Sequence, residues 1–129
     1  MSSFSPDVLE AATREREVQF TTYGRKTGSP HTVTIWVWGE GPRLFIRSGQ
    51  GLGRDWPQNL LAQGKGVLHL AAHDVPVTAR HVTDTGEARS LSDLVERKYG
   101  VKVPRSRDGQ PPTPAEQATF ELFAAAGVR

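Results

Sequence analysis

Five short runs of alternating apolar and polar residues follow one another: "EVQFTTY", "HTVTIWVW", "RLFIRS", "GVLHLAA" and "VPVTARHV". Such alternation is the mark of a strand with one face inward. Between most of these runs stand only turn residues, "GRKTGSP", "GEGP" and His73-Asp74. So few residues can fold a strand back on its neighbour, but they cannot carry it over a sheet to lie parallel. The centre of the chain is therefore predicted to be an antiparallel sheet. In "HTVTIWVW", Val33, Ile35 and Val37 share one face, while Thr32, Thr34, Trp36 and Trp38 share the other. Both faces are partly apolar, as expected where each is covered. The pattern predicts an α+β protein: a small barrel, or strongly coiled sheet, with helices packed on it.

The helices are expected at the two ends and between the third and fourth runs. Ser5 can cap the first, with Pro6 at its first position and Asp7 near its positive end. "RDWPQNLLAQG" reads as a short helix with Asp55 as cap, Pro57 in the first turn and Gly64 as stop. "ARSLSDLVERKYG" places Leu91, Leu94, Val95 and Tyr99 at helical spacing and stops at Gly100. A polar link, "PRSRDGQPP", leads to "TPAEQATFELFAAAG". There Thr113 as cap, Pro114 and Glu116 form a capping box that predicts a final helix running to Gly127.

The 129 residues fit one domain over 1–129. The chain has no cysteine, which excludes disulfides and thiolate chemistry and suits a reducing cytoplasm. "MSSFSPDVLEAATRERE" lacks the apolar core of a signal peptide, and no run approaches the ~18 apolar residues of a membrane span. A formal charge of +2 is nearly balanced, so neither nucleic acid nor membrane is an expected partner.

Two stretches concentrate polar chemistry on glycine-rich backbone. In Gly24-Arg25-Lys26-Thr27-Gly28, turn amides can form an anion nest, Arg25 can grip a phosphate bidentately and Lys26 adds a point charge. The P-loop spacing is missing, and a plain hairpin turn with solvated cations reads equally from these residues. In the second, Arg47, Ser48, Gly49, Gln50, Gly51 and Arg54 join a strand end to a helix start. That geometry offers amides and a positive dipole to an anion or a carbonyl-rich ring, or else is an ordinary connection. Trp36, Trp38 and Trp56 can wall a planar ligand or fill the core. His69 and His73 are four apart, but in a strand-and-turn setting, and no metal site is expected from them. No GxSxG elbow is present.

Taken together, "TTYGRKTGSPHTVTIWVW", "RLFIRSGQGLGRDWPQNLLAQGKGVLHL" and "VPVTARHV" resemble the deazaflavin-dependent nitroreductases, a branch of the split β-barrel flavin and deazaflavin oxidoreductases. The resemblance covers roughly residues 17–83. It implies an FMN-binding-like split barrel whose cofactor is F420, or alternatively FMN, with hydride passed to a small organic substrate. Carried onto this chain, it implies tail contacts from Arg25, Lys26 and Thr27. Loop contacts come from Ser48, Gly49, Gln50 and Gly51, and a helix wall from Trp56 through Asn59 and Leu60. His31 stands where relatives carry Arg, and Thr34-Ile35 where they carry Pro-Leu, so these two positions mark a divergent subgroup. His31 or Thr34 would be placed to donate a proton. A homodimer with the cofactor near its interface is also implied. The alternative within the same fold is a protein that binds a cofactor or tetrapyrrole without turning it over.

Overall fold

The computed structural model describes residues 4–125. In chain order they form α1 (Pro6–Arg14), β1 (Val18–Tyr23), β2 (Pro30–Ile35), β3 (Val37–Glu40), β4 (Arg43–Arg47), α2 (Asp55–Gln63), β5 (Lys65–Leu70), β6 (His73–His81), α3 (Thr85–Tyr99), α4 (Pro114–Gln117) and β7 (Thr119–Ala124). The strands make one seven-stranded sheet in the order β2-β1-β5-β6-β7-β4-β3, antiparallel at every step. β2 and β3 stand at its two ends, yet Trp36 alone separates them in the chain. The sheet must therefore curl until its ends meet. The result is the α+β barrel that the short turns predict, of the split form that the resemblance implies, with α2 falling between β4 and β5.

The predicted strand over residues 31–38 is thus two strands. Its first half pairs with β1, from Val18↔Ile35 to Tyr23↔Pro30, and its second half pairs with β4. The corner at residue 36 lets one extended stretch serve both edges. Inside the barrel, Val18, Phe20, Ile35, Val37, Leu44 and Leu68 pack with Phe120 and Leu122, and α1 and α2 close the barrel through Val8, Ala12, Trp56 and Leu60. A second cluster lies outside, where Trp38 and Phe45 meet Ala88, Leu91, Val95 and Tyr99 of α3. That second cluster is why β3 is apolar on both faces.

The end of the chain departs from expectation. The capping box forms: Thr113 Oγ1 accepts from the Glu116 N–H at 3.1 Å, and Glu116 Oε1 accepts from the Thr113 N–H at 2.8 Å. The helix then stops after one turn, and residues 119–124 become β7, inserted between β6 and β4. Alternation explains the switch. Phe120 and Leu122 enter the core, while Glu121 meets Arg43 and Arg80 on the other face. Filling this gap satisfies two strand edges at once, which outweighs the helical propensity of Ala, Glu and Leu. The predicted stop at Gly127 lies outside the described residues.

Two local boundaries also move. α2 is capped at Arg54, without a side-chain bond, and Asp55 is its first helical residue rather than its cap. The β5–β6 turn is Ala71–Ala72, because His69 and Asp74 face each other in the ladder and bond at 2.8 Å. The caps at Ser5 and the stops at Gly64 and Gly100 stand as predicted, the two glycines in the left-handed region. Among the described residues, no helix is long and apolar enough to cross a membrane.

Candidate functional site

A cleft of about 480 Å³ opens where the β2–β3 corner, the end of β4 and the start of α2 meet α3 and the link before α4. All three tryptophans border it. Trp36, at the corner, stacks on Tyr99 with centroids 3.9 Å apart and planes 8° apart. Trp38, from β3, lies beside Phe45 at 6.0 Å. Trp56, from the first turn of α2, is fixed on the core side by Phe20 at 5.8 Å and Phe120 at 6.0 Å. Trp38 Nε1 is buried without a partner, the one such side-chain atom among the described residues.

The glycine-rich loop forms the polar side. Ser48, Gly49, Gln50 and Arg54 line the cleft. The N–H groups of Ser48 and Gly51 are committed to Ala118 O at 2.9 Å and Ser48 O at 3.1 Å. Gly51 itself sits behind the lining with φ +89°, and a methyl there would meet Pro114 Cβ at 2.9 Å. Glycine at this position thus lets the loop touch α4. Arg54 bonds Gln50 Oε1, a neutral partner, and makes no ion pair among the described residues.

Arg47 also lines the cleft, but its fork is occupied. Nε donates to Thr119 Oγ1 at 2.8 Å, Nη1 to Ser92 Oγ at 3.0 Å and Nη2 to Ala88 O at 2.9 Å. Its guanidinium lies 5.6 Å from the Trp38 ring centroid. Burial lowers its pKa to about 10, against the opposing pull of Glu116, so it remains charged at neutral pH. Among the described residues, the lining therefore carries two arginines and no carboxylate.

The remaining wall comes from the C-terminal third: Val95, Val103, Pro104, Thr113, Pro114 and Ala115. Sequence reasoning gave none of these a site role: the link at Pro104 reads as solvated connection, and Val95, Thr113 and Pro114 read only as parts of helices. The link's structure comes from α3. Arg105 pairs with Asp93 and Glu96 at 2.5 Å each, and Glu96 Oε2 accepts from the Val103 N–H at 2.9 Å. Arg89 donates to Ser106 Oγ at 2.8 Å and Arg107 O at 2.6 Å. Buried Glu116 ties the link's far end, accepting from Ser106 Oγ at 2.7 Å as well as from Thr113. Burial alone would raise the Glu116 pKa, but these donors and the Arg47 charge hold it below the ordinary carboxylate range.

Of the residues singled out from sequence, the cleft gathers Thr34, Arg47, Ser48, Gly49, Gln50, Arg54 and Trp56. The Gly24–Gly28 turn does not border the cleft but is held on α2. Arg25 Nη1 donates to Asn59 Oδ1 at 2.9 Å and Asp55 O at 3.3 Å, and Asn59 Nδ2 donates to Thr22 Oγ1 at 3.2 Å. Lys26 is exposed, and Thr27 Oγ1 accepts from the Ser29 N–H within the turn. Leu60 is in the core, and His31 is exposed on β2 opposite Thr22. His69 bridges Thr21 Oγ1 and Asp74, and His73 is partly buried in β6; the described residues hold no group of three or more His, Cys, Asp or Glu able to take a metal.

A family model described as "uncharacterized protein conserved in bacteria (DUF2255)" matches residues 8–122. No curated protein matches the chain. Solved structures share the fold at low identity. An F420-H2 dependent reductase (FDR-A) is 20% identical, with 84% of this chain and 94% of that one covered at a TM-score of 0.60. HutZ, the heme storage protein from Vibrio cholerae, is 13% identical, covering 98% and 93% at 0.59. A structure described as a domain-swapped dimer is 18% identical, covering 84% and 80% at 0.59. At such identities the likeness is one of fold.

Proposed function

The chain belongs to the DUF2255 family of uncharacterised bacterial proteins, and we propose that it is a cofactor-binding split barrel that works as an oxidoreductase with F420 or, alternatively, FMN. One observation carries this reading: three tryptophans from separate elements and a glycine-rich loop converge on one cleft. Aromatic walls suit a planar ring, and Ser48, Gln50, Thr34 and Thr113 offer hydrogen bonds to its edge. Two arginines without a carboxylate favour an anionic or carbonyl-rich ligand. When bound, such a group supplies hydride transfer to a small organic acceptor.

The chain's own residues bind and orient. Trp36 and Trp56 fix the plane of the ring, Gly49 lets backbone approach its edge, and Val103, Pro104 and Pro114 exclude water above it. A tail longer than the cleft would pass the start of α2 and reach Arg25, Lys26 and Thr27, with Asn59 holding Arg25 in place. Thr34 lies at the rim, where it can pass a proton to a reduced substrate. Gly51 acts by fitting the loop to α4, Leu60 by holding α2 in the core, and His31 lies outside the cleft. A homodimer is part of this reading, supported by the neighbour described as a domain-swapped dimer, and sedimentation tests it. So is a cytoplasmic setting, which the cysteine-free composition supports.

Heme fits the lining less well, because among the described residues no imidazole, phenol or thiol borders the cleft to take the iron. The test is a parallel titration of ligand-free protein with F420, FMN and heme, read by tryptophan quenching. Saturable binding of F420 or FMN is expected, followed by substrate-dependent oxidation of the reduced cofactor. Tight binding without turnover would favour a carrier. Binding of heme alone, or of none by folded protein, would overturn the proposal.

A further inference from the structure

We propose that the last turn of α3 sets the position of Trp36, making Lys98 and Tyr99 positioning residues for the cleft that act without lining it. The consequence for ligand affinity rests on the cofactor reading above. The consequence for Trp36 itself does not.

Trp36 is the corner between strands at opposite ends of the sheet, so its backbone direction follows from barrel closure. The tilt of its indole does not, and the near-parallel stack on Tyr99 supplies it. Tyr99 is in turn fixed at its hydroxyl. Oη donates to Arg16 O at 2.7 Å, with Val37 O as the alternative acceptor at 3.1 Å, and accepts from the Val37 N–H at 3.3 Å. Lys98 secures the same corner. Its Nζ reaches Val37 O at 2.6 Å, Ala12 O at 2.6 Å and Glu15 O at 2.8 Å. An ammonium has three N–H groups, and each finds one carbonyl. Two of those carbonyls belong to the end of α1, where helical oxygens lack helical partners and a cation is favoured. The third belongs to the residue that follows Trp36. One helix end, one strand start and one cleft wall are thus tied at a single point, remote in sequence from the glycine-rich loop.

The test compares Tyr99→Leu, Tyr99→Phe and Lys98→Met, each checked for cooperative unfolding. The near-UV circular dichroism that Trp36→Phe removes from the ligand-free protein marks the Trp36–Tyr99 stack. Tyr99→Leu should abolish that signal, and Tyr99→Phe, which keeps the ring, should largely retain it. For F420 or FMN, whichever the wild type binds, Kd should rise about tenfold in Tyr99→Leu, the scale of one lost aromatic stack, with Tyr99→Phe much closer to wild type. If Tyr99→Leu does not fold, Lys98→Met decides: weakened signal supports the proposal. A folded Tyr99→Leu or Lys98→Met with undiminished Trp36 signal would overturn it. Signal loss with unchanged Kd would refute its bearing on affinity. Should the wild type bind neither cofactor, the functional reading fails while the dichroism still decides the positioning.

Discussion

Replacing Glu121 by Gln is expected to destabilise the protein by about 2–3 kcal/mol. Glu121 sits in the middle of β7 with its carboxylate nearly buried, and two arginines that are themselves about two-fifths exposed converge on it. Oε1 accepts from Arg43 Nη2 at 3.0 Å, Arg80 Nε at 3.1 Å and Arg80 Nη2 at 2.8 Å, and Oε2 accepts from Arg43 Nε at 2.9 Å. A Gln carbonyl can take the Oε1 position, but its amide would then point N–H groups at Arg43 Nε. One charge-assisted bond is lost outright, at ~1.5–3 kcal/mol, and the three others keep the guanidinium charge but lose the carboxylate's. Breaking a buried ion pair commonly costs ~3–5 kcal/mol, and the partial exposure of the arginines, with Glu87 still beside them, places this case below that range. For a domain of this size the melting temperature should fall by roughly 7–11 °C.

Urea denaturation of wild type and E121Q at several pH values is the assay. The bonds from Arg43, foremost, and from Arg80 hold the Glu121 pKa below the usual range, against the effect of burial. A depressed carboxylate contributes stability that is full above the unfolded pKa, near ~4.3 for Glu. The gap between the two proteins should therefore be widest at neutral pH and close as pH drops below about 4. A difference under about 0.5 kcal/mol at pH 7, or one that does not depend on pH, would refute the claim that this carboxylate anchors β7.

Other outcomes follow from the same geometry. Burial lowers the Lys98 pKa to about 8, with Arg16 acting the same way and Glu15 opposing. The unfolded chain keeps that proton longer, so Lys98 should make stability rise between pH 8 and about 10.4, and Lys98→Met should remove the slope. Burial raises Tyr99 to about 12, which reverses the trend above pH ~10; urea midpoints across this range check both signs. Gly51→Ala combines a positive φ with a 2.9 Å approach to Pro114 and should cost about 1–3 kcal/mol in thermal unfolding while weakening ligand binding by displacing the loop. Under the proposed function, Lys26→Ala should weaken F420 severalfold and leave a tail-less deazaflavin unaffected in the same titration; equal effects would remove the turn from the site.

How far the sequence could be read depends on where each residue's partners lie. Strand runs, the Ser5 cap and glycine stops are local, so the antiparallel sheet, the start of α1 and the glycine ends of α2 and α3 were legible. The corner at Trp36 carries no glycine or proline to announce it; it exists because two strand edges compete for one extended stretch. Residues 119–124 read as helix through Ala, Glu and Leu, and only the gap between β4 and β6, more than thirty residues upstream at its nearer side, makes them a strand. The glycine-rich loop and tryptophans were visible as chemistry, and the cleft does gather most of them. Arg47 was visible as a charge but not as a clasp, because Thr119, Ser92 and Ala88 reach it only through folding. The proline-rich wall was invisible for the same reason.

The position of β7 has a consequence for how the chain is made. Every other neighbouring pair in the sheet is formed by residues 18–81, so those hairpins can assemble while synthesis is still under way. Until residue 119 and its successors emerge, β4 and β6 each offer a bare row of amides and carbonyls to any passing strand. A nascent chain in that interval is primed to pair with a neighbour's β7 as readily as with its own. Growth temperature and chaperone supply during that interval should therefore bear on the yield of folded protein.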